Sequence, residues 1–119
     1  MVAYTHPDAD AVDLLFHALA DRTRRDIVAV VLREEHSVST LARRYPTSFQ
    51  AIQKHVAVLE RAGLVTKEAR GRERLVRGDV DAIRRAQRLL DELEVVWRER
   101  IDRFGEALAG LDQGAEAWQ

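Results

Sequence analysis

From Val80 onward, apolar residues recur at Ile83, Ala86, Leu90, Leu93, Trp97, Ile101, Phe104, Leu108 and Leu111, in steps of three or four with one stutter between Leu93 and Ile101. That spacing predicts a single helix of about 30 residues carrying one continuous apolar stripe. In a chain of 119 residues such a stripe exceeds what the rest of a small domain can cover. Self-association is the economical way to bury it, so a homodimer is expected. The same length accommodates one compact domain with an oligomerisation arm and excludes two full catalytic domains.

Ahead of this helix the elements are separated by clear punctuation. Val12, Leu15, Phe16 and Leu19 repeat at helical spacing behind Asp8 and Asp10 and predict a first helix. Asp21 caps a second, Arg22 to Arg33. Its Ile27, Val28, Val30 and Val31 would also suit a buried strand, and length and the cap decide for helix. Ser37 or Ser39 opens a short third helix through Leu41 and Ala42. Tyr45-Pro46 ends it, because the residue before a proline is pushed out of the α region. Thr47-Ser48-Phe49-Gln50 reads as a capping box, Thr47 Oγ1 accepting from the Gln50 amide while the Gln50 side chain reaches back, and it opens a fourth helix. Gly63 closes that helix as a left-handed cap. Ile52, Val56 and Leu59 share one face of it, and Gln50, Gln53, Lys54, Ala57 and Arg61 form the opposite stripe. Leu64 to Glu68 and Arg74 to Arg77 are strand-like runs around Arg70-Gly71-Arg72, a hairpin with a basic tip.

The net charge of −1 taken alone argues against a polyanionic partner. Its distribution reverses that inference. Residues 1–20 carry three Asp and no Lys or Arg, and residues 78–119 carry six Arg against ten acids. Between them, residues 45–77 carry Lys54, Arg61, Lys67, Arg70, Arg72, Arg74 and Arg77 against only Glu60, Glu68 and Glu73. A basic centre between acidic ends is what a local polyanion-binding surface requires. With no cysteine, disulfides, thiolate metal sites, iron–sulfur clusters and a cysteine nucleophile are excluded. The longest uninterrupted apolar run, Ile27 to Leu32, is far short of the roughly 20 residues of a membrane helix. Met1 to Pro7 shows neither a charged n-region nor an apolar h-region, so a cytoplasmic protein without a membrane partner is expected.

A short helix, a tight turn, a capped helix with an exposed polar stripe and a basic hairpin follow the order of a winged helix-turn-helix, whose second helix enters the DNA major groove. The specific run Leu19-Ala20-Asp21-Arg22-Thr23-Arg24-Arg25, then Val38 to Ala42, then Ala51-Ile52-Gln53-Lys54-His55-Val56 with Leu59 and Ala62-Gly63-Leu64-Val65, resembles the ArsR-type family of dimeric winged-helix repressors. The resemblance spans roughly residues 12–80. It implies a mainly α fold with a small β-hairpin, in the order α-α-α-α-β-β-α. It also implies dimerisation through the first and last helices and a fourth helix that reads double-stranded DNA. The expected boundaries are a winged helix-turn-helix domain over 1–79 with its wing at about 64–78, a dimerisation helix over 80–111 and a flexible tail over 112–119. No role is assigned to Trp118.

Residue chemistry supplies the candidates. Gln50 and Gln53 are expected to read bases, since glutamine bonds adenine N6 and N7 in bidentate fashion. Ser48 and Lys54 suit phosphates, as do Arg24 and Arg25 at the start of the second helix, with pairing to Asp21 or Asp26 as the alternative for these two arginines. Arg70 and Arg72 are expected in the minor groove, with Arg74 a further wing residue that strand alternation can turn away. Leu15, Leu90, Leu93, Trp97, Ile101 and Phe104 are the expected dimer interface. His55, beside Val56 and Leu59, is expected to pack rather than to switch. Two positions depart from the family: Gln53 stands where serine is common, and Phe49 where a polar residue is usual. Phe49, three residues before Ile52, is assigned to the core, the alternative being a thymine methyl contact.

The family's cysteine sites, and its sites built on histidines of the last helix, have no ligands here. His6, Asp8, Asp10, Asp13 and His17 read as acids complementing a helix dipole and a helical histidine rather than as a metal site. No metal or cofactor is therefore expected, and the effector stays open. An enzyme finds no support, because no phosphate-cradling glycine loop, nucleophile elbow or zinc-binding histidine pair occurs. A winged-helix protein-interaction module is the rival reading, and the basic wing argues against it.

Overall fold

Asp21 begins the part of the chain that its caps define. In the computed structural model, which describes residues 9–117 and their side chains from Asp10 to Asp112, Asp21 Oδ2 accepts the Arg24 amide at 3.0 Å. This bond starts α2 (Arg22–Arg33) directly after α1 (Ala9–Leu19). The β-branched run of α2 is helical, with Ile27, Val28, Val30 and Val31 all buried. Ser37 caps α3 (Val38–Ala42), its Oγ accepting from the Thr40 amide at 3.1 Å.

The cap of α4 (Phe49–Arg61) is Ser48 and not Thr47: Ser48 Oγ accepts from the Ala51 amide at 3.1 Å. The expected box does not form: Ser48 alone caps the helix, its third helical residue is Ala51 with no polar side chain to reach back, and the Thr47 amide is turned onto the Tyr45 carbonyl at 2.8 Å. At the other end Gly63 takes φ +77°, its amide bonds the Glu60 carbonyl and the Leu64 amide bonds the Leu59 carbonyl, each at 3.0 Å. That pair of bonds is a Schellman cap, which only a residue at ease in the left-handed region can close.

The hairpin is β2 (Val65–Arg70) and β3 (Glu73–Gly78), paired from Val65↔Gly78 to Arg70↔Glu73. Gly71, at φ +65°, and Arg72 form its two-residue turn, glycine first as such turns demand. A third strand was not expected: β1 (His36–Ser37) pairs with β3 through His36↔Val76 and Ser37↔Leu75, giving the order β1-β3-β2. Two residues carry no alternation for a sequence reading to detect, and Ser37 serves at once as strand and as helix cap.

The chain divides into two compact units, residues 1–86 and 87–119. Within the first, α2 packs on α4 and on β3, while α1 packs on α2 and α4. Ile27, Leu41, Ile52, Leu59, Leu64 and Val76 are wholly buried, each burial stabilising the fold by roughly 1.5–3 kcal/mol before entropy is counted. Leu15, expected at a dimer interface, is 2% exposed and belongs to this core; the large apolar side chains that α1 exposes are Leu14 and Phe16. Ala82 and Ala86, from the start of α5 (Val80–Ala117), complete the core. The second unit is the remainder of α5, and its apolar stripe lies in water.

Gly63→Ala should lower stability by about 1–2 kcal/mol in urea denaturation, because alanine resists the left-handed conformation. Gly105→Ala, in α5 with nothing within 4 Å of the new methyl group, should have the opposite sign, stabilising by about 0.5–1 kcal/mol.

Candidate nucleic-acid interface

Burial of Ile52, Val56 and Leu59 sets what α4 presents outward. Its exposed residues are Phe49, Gln50, Gln53, Lys54, Glu60 and Arg61, with Ser48 exposed at the cap. Gln50, Gln53 and Lys54 are therefore brought together on one solvent-facing sector. Ser48 Oγ is engaged as an acceptor in the cap and keeps its proton to donate. Phe49 was assigned to the core; it is 40% exposed instead. As the first residue of α4 it stands beyond the end of the Ile52–Val56–Leu59 face, so the i, i+3 relation to Ile52 does not bury it.

Arg24 and Arg25 are committed elsewhere. Arg24 Nε donates to the Ala18 carbonyl at 2.8 Å and Nη2 to the His17 carbonyl at 3.0 Å, while Arg25 Nη1 donates to the Leu19 carbonyl at 2.8 Å. Both guanidinium groups bond carbonyls of the last turn of α1, of which that of His17 also accepts the Ala20 amide at 3.2 Å. This engagement sets them apart from the free cations of α4, and neither expected partner, Asp21 or Asp26, forms an ion pair with them among the described residues. Arg24 Nη1 also lies 3.4 Å from His55 Nδ1, which is 4.0 Å from Asp21 Oδ2. His55 is half-buried and packs at this joint between α2 and α4. The Arg24 amide bond, aided by the charges of Arg24 and His55 against an opposing effect of burial, holds the Asp21 carboxyl below its ordinary range.

The wing separates its three arginines. Arg70 ends β2 and reaches Glu35, Nη1 to Oε1 at 3.5 Å. Arg77 holds the same carboxylate through Nε at 3.2 Å and Nη2 at 3.0 Å, and also meets Glu68 at 3.3 Å. Arg74 pairs in register with Ala69 and Arg70 with Glu73, so strand alternation puts Arg70 and Arg74 on opposite faces of the ribbon. Arg72 occupies the turn itself. Among the described residues no ion pair engages Arg72, Arg74, Lys54 or Arg61. Lys67 and Glu60, 3.5 Å apart, tie β2 to α4. Glu35 was missed by the sequence reading, since its partners lie 35 and 42 residues away with no local pattern to connect them.

On α5, Leu90, Leu93, Trp97, Ile101 and Phe104 are all exposed, as are Leu108 and Leu111. Arg100 lies over the Trp97 ring at 5.7 Å, and Arg98 bonds Glu94 one turn back. His6 and Asp8, and Trp118, lie outside the described residues. Among the described residues no group of three potential metal ligands occurs, and no helix is long and apolar enough to cross a membrane.

A capped helix behind a short one, flanked by a basic hairpin, is a winged helix-turn-helix. A helix-turn-helix domain family matches residues 19–68. The HTH-type transcriptional regulator Rv2034 of Mycobacterium tuberculosis is 34% identical over 108 residues, which is 91% of this chain and 94% of that protein. The uncharacterised HTH-type regulator YuzN of Bacillus subtilis is 41% identical over 71 residues, 54% of this chain and 77% of that one. The solved structure of an ArsR-like transcriptional regulator from Rhodococcus sp. RHA1 superposes with a TM-score of 0.74 at 32% identity, covering 83% of this chain and 93% of that one. The chain belongs to the ArsR-type family of winged helix-turn-helix transcriptional regulators, and its task is DNA-binding regulation of transcription.

Behind the turn of the motif, Tyr45 donates its hydroxyl to Asp26 Oδ2 at 2.6 Å, joining the segment before α4 to α2. Burial and the Asp26 carboxylate push the Tyr45 phenol from 10.0 up to about 12. A raised phenol pKa contributes stability that is complete below pH 10 and is lost as the pH climbs toward 12. Tyr45→Phe should therefore destabilise the fold by about 1 kcal/mol at neutral pH. In chemical denaturation series, the gap to the wild type should narrow between pH 10 and 12.

Proposed function

We propose that the chain is a cytoplasmic homodimeric repressor, without enzymatic activity, that binds an inverted-repeat operator. The observation that carries this reading is the exposed sector of α4, where Gln50, Gln53 and Lys54 stand free beside the basic wing. In it, Gln50 and Gln53 read adenines in the major groove, each good bidentate pair discriminating by roughly 1–3 kcal/mol. Ser48 and Lys54 hold phosphates and fix the register. Arg72 and Arg74 serve the minor groove, with Arg70 contributing from its place beside Glu35. Arg24 and Arg25 act through α1, whose carbonyls they hold, and so position α2 and α4 rather than meet the backbone themselves.

The dimer is carried by α5. Read from Leu90 through Leu93, Trp97 and Ile101 to Phe104, the spacings are the same in both directions about Trp97. Two such helices crossing antiparallel about a two-fold axis at Trp97 set Leu90 against Phe104 and Leu93 against Ile101 of the second copy. Each of these five exposed side chains then has an apolar partner, Trp97 meeting its own copy. A two-fold protein implies half-sites in inverted orientation, about one helical turn or a multiple of it apart.

Fluorescence anisotropy with a duplex from upstream of its own gene and a scrambled duplex, at two salt concentrations, tests the reading. The wild type should prefer the upstream duplex, Gln53→Ala should lose the preference, and Arg72→Ala should reduce the salt slope. Equal binding to both duplexes by the wild type would overturn the base-reading assignment. In this cysteine-free chain, Trp97→Cys should cross-link copies on oxidation and Leu90→Cys should not; the reverse result would rule out the antiparallel pairing.

A further inference from the structure

Phe49 is the one apolar side chain among the exposed residues of α4. The helix has no need of it for the core, since Ile52, Val56 and Leu59 are already buried to within 1% of completeness. Its cap is supplied by Ser48, so Phe49 does not close the helix either. Phe49 precedes Gln53 by four residues, and side chains so spaced are neighbours on a helix surface, about 5–6 Å apart at their Cβ atoms. Gln50 follows it directly and is also exposed. An aromatic ring thus stands beside the Gln53 amide at the N-terminal end of the reading helix, with the exposed Gln50 next in sequence. The amides match the N6 and N7 groups of adenine, and the only apolar group that a base pair offers in the major groove is the 5-methyl of thymine.

We propose that Phe49 is a specificity-determining residue that reads a thymine 5-methyl group next to the base read by Gln53. This rests on the regulator reading above. Phe49 adds to that reading a demand for thymine that Gln50 and Gln53, which bond adenine, do not impose on the neighbouring base pair. The contact is one of van der Waals packing and shed water, so it carries no charge. It leaves the salt dependence of binding unchanged and distinguishes thymine from uracil, which differs only in lacking the methyl group.

The test begins with selection of bound sequences from a pool of random duplexes by the wild-type protein. Each thymine of the selected duplex is then replaced in turn by deoxyuridine. Wild-type binding should weaken about fourfold for each contacted methyl group removed, at one thymine per half-site. Phe49→Ala should bind the thymine and deoxyuridine duplexes equally at that position, with an unchanged salt slope, while Phe49→Leu should keep a reduced penalty. The wild-type scan stands even where a variant folds poorly. If no thymine is sensitive in the wild type, or if the penalty persists in Phe49→Ala, the proposal falls while sequence-specific binding survives. Selection of no sequence at all by the wild type would overturn the regulator reading together with it.

Discussion

α4 buries Ile52, Val56 and Leu59 almost completely against the core formed with Ile27, Leu41 and Leu64, and this burial fixes the rotation of the helix about its own axis. A helix has one rotational freedom when it packs on a core, and three large side chains on one face remove it. Once it is removed, Gln50, Gln53 and Lys54 point outward for geometric reasons, whatever they bind. The caps then set its length: Ser48 starts it and Gly63 ends it within a single turn of β2. The hairpin is accordingly fixed to the same core through Val65 and Val76.

Polar joints lock the helices around α4. Arg24 satisfies carbonyls of α1 while its amide is held by Asp21, and its guanidinium approaches His55 of α4. One side chain of α2 thereby touches both α1 and α4. Tyr45 and Asp26 form a second joint, and Glu35 with Arg77 a third at the base of the wing. Such pairs contribute modestly to stability at a surface. Their larger effect is to sort the chain's cations into those that hold the scaffold together and those left for an anionic partner. The near-zero net charge is compatible with a polyanion-binding surface for this reason: the free cations cluster, and the acids that balance them sit largely in α5 and ahead of α2.

Most of the fold was legible in the sequence, and the reason is that it is built from local signals. The Asp21 cap, the Gly63 cap and the apolar periodicity of α4 and α5 all act within one or two turns, so a reading of neighbours finds them. What failed was nonlocal or positional. β1 exists only because β3 offers it an edge, and Glu35 acts only because folding brings Arg70 and Arg77 to it. Phe49 and Leu15 were misplaced for a related reason. Helical phase gives the direction of a side chain and not whether core lies in that direction: Phe49 runs past the end of it, and Leu15 points into the chain's own. Arg24 shows the limit most clearly, since an arginine looks the same in sequence whether it is bound for phosphate or for a helix end.

The apolar stripe of α5 and the reading face of α4 make complementary demands. In the proposed reading, a single α4 offers two amides, a ring and two exposed cations to a handful of base pairs, too little to select one site among the many competing sites of a genome. Doubling the reading surface by association multiplies the discrimination, provided that the two copies are held in a fixed relation. The near-mirror spacing of α5 about Trp97 supplies such a relation in the proposed dimer, because a seam that reads alike in both directions favours one antiparallel register over its neighbours. A shift by four residues would set Trp97 against Leu93 or Ile101 and break the pairing of Leu90 with Phe104. The stripe that this chain cannot bury alone and the specificity that it cannot achieve alone thus have the same physical remedy.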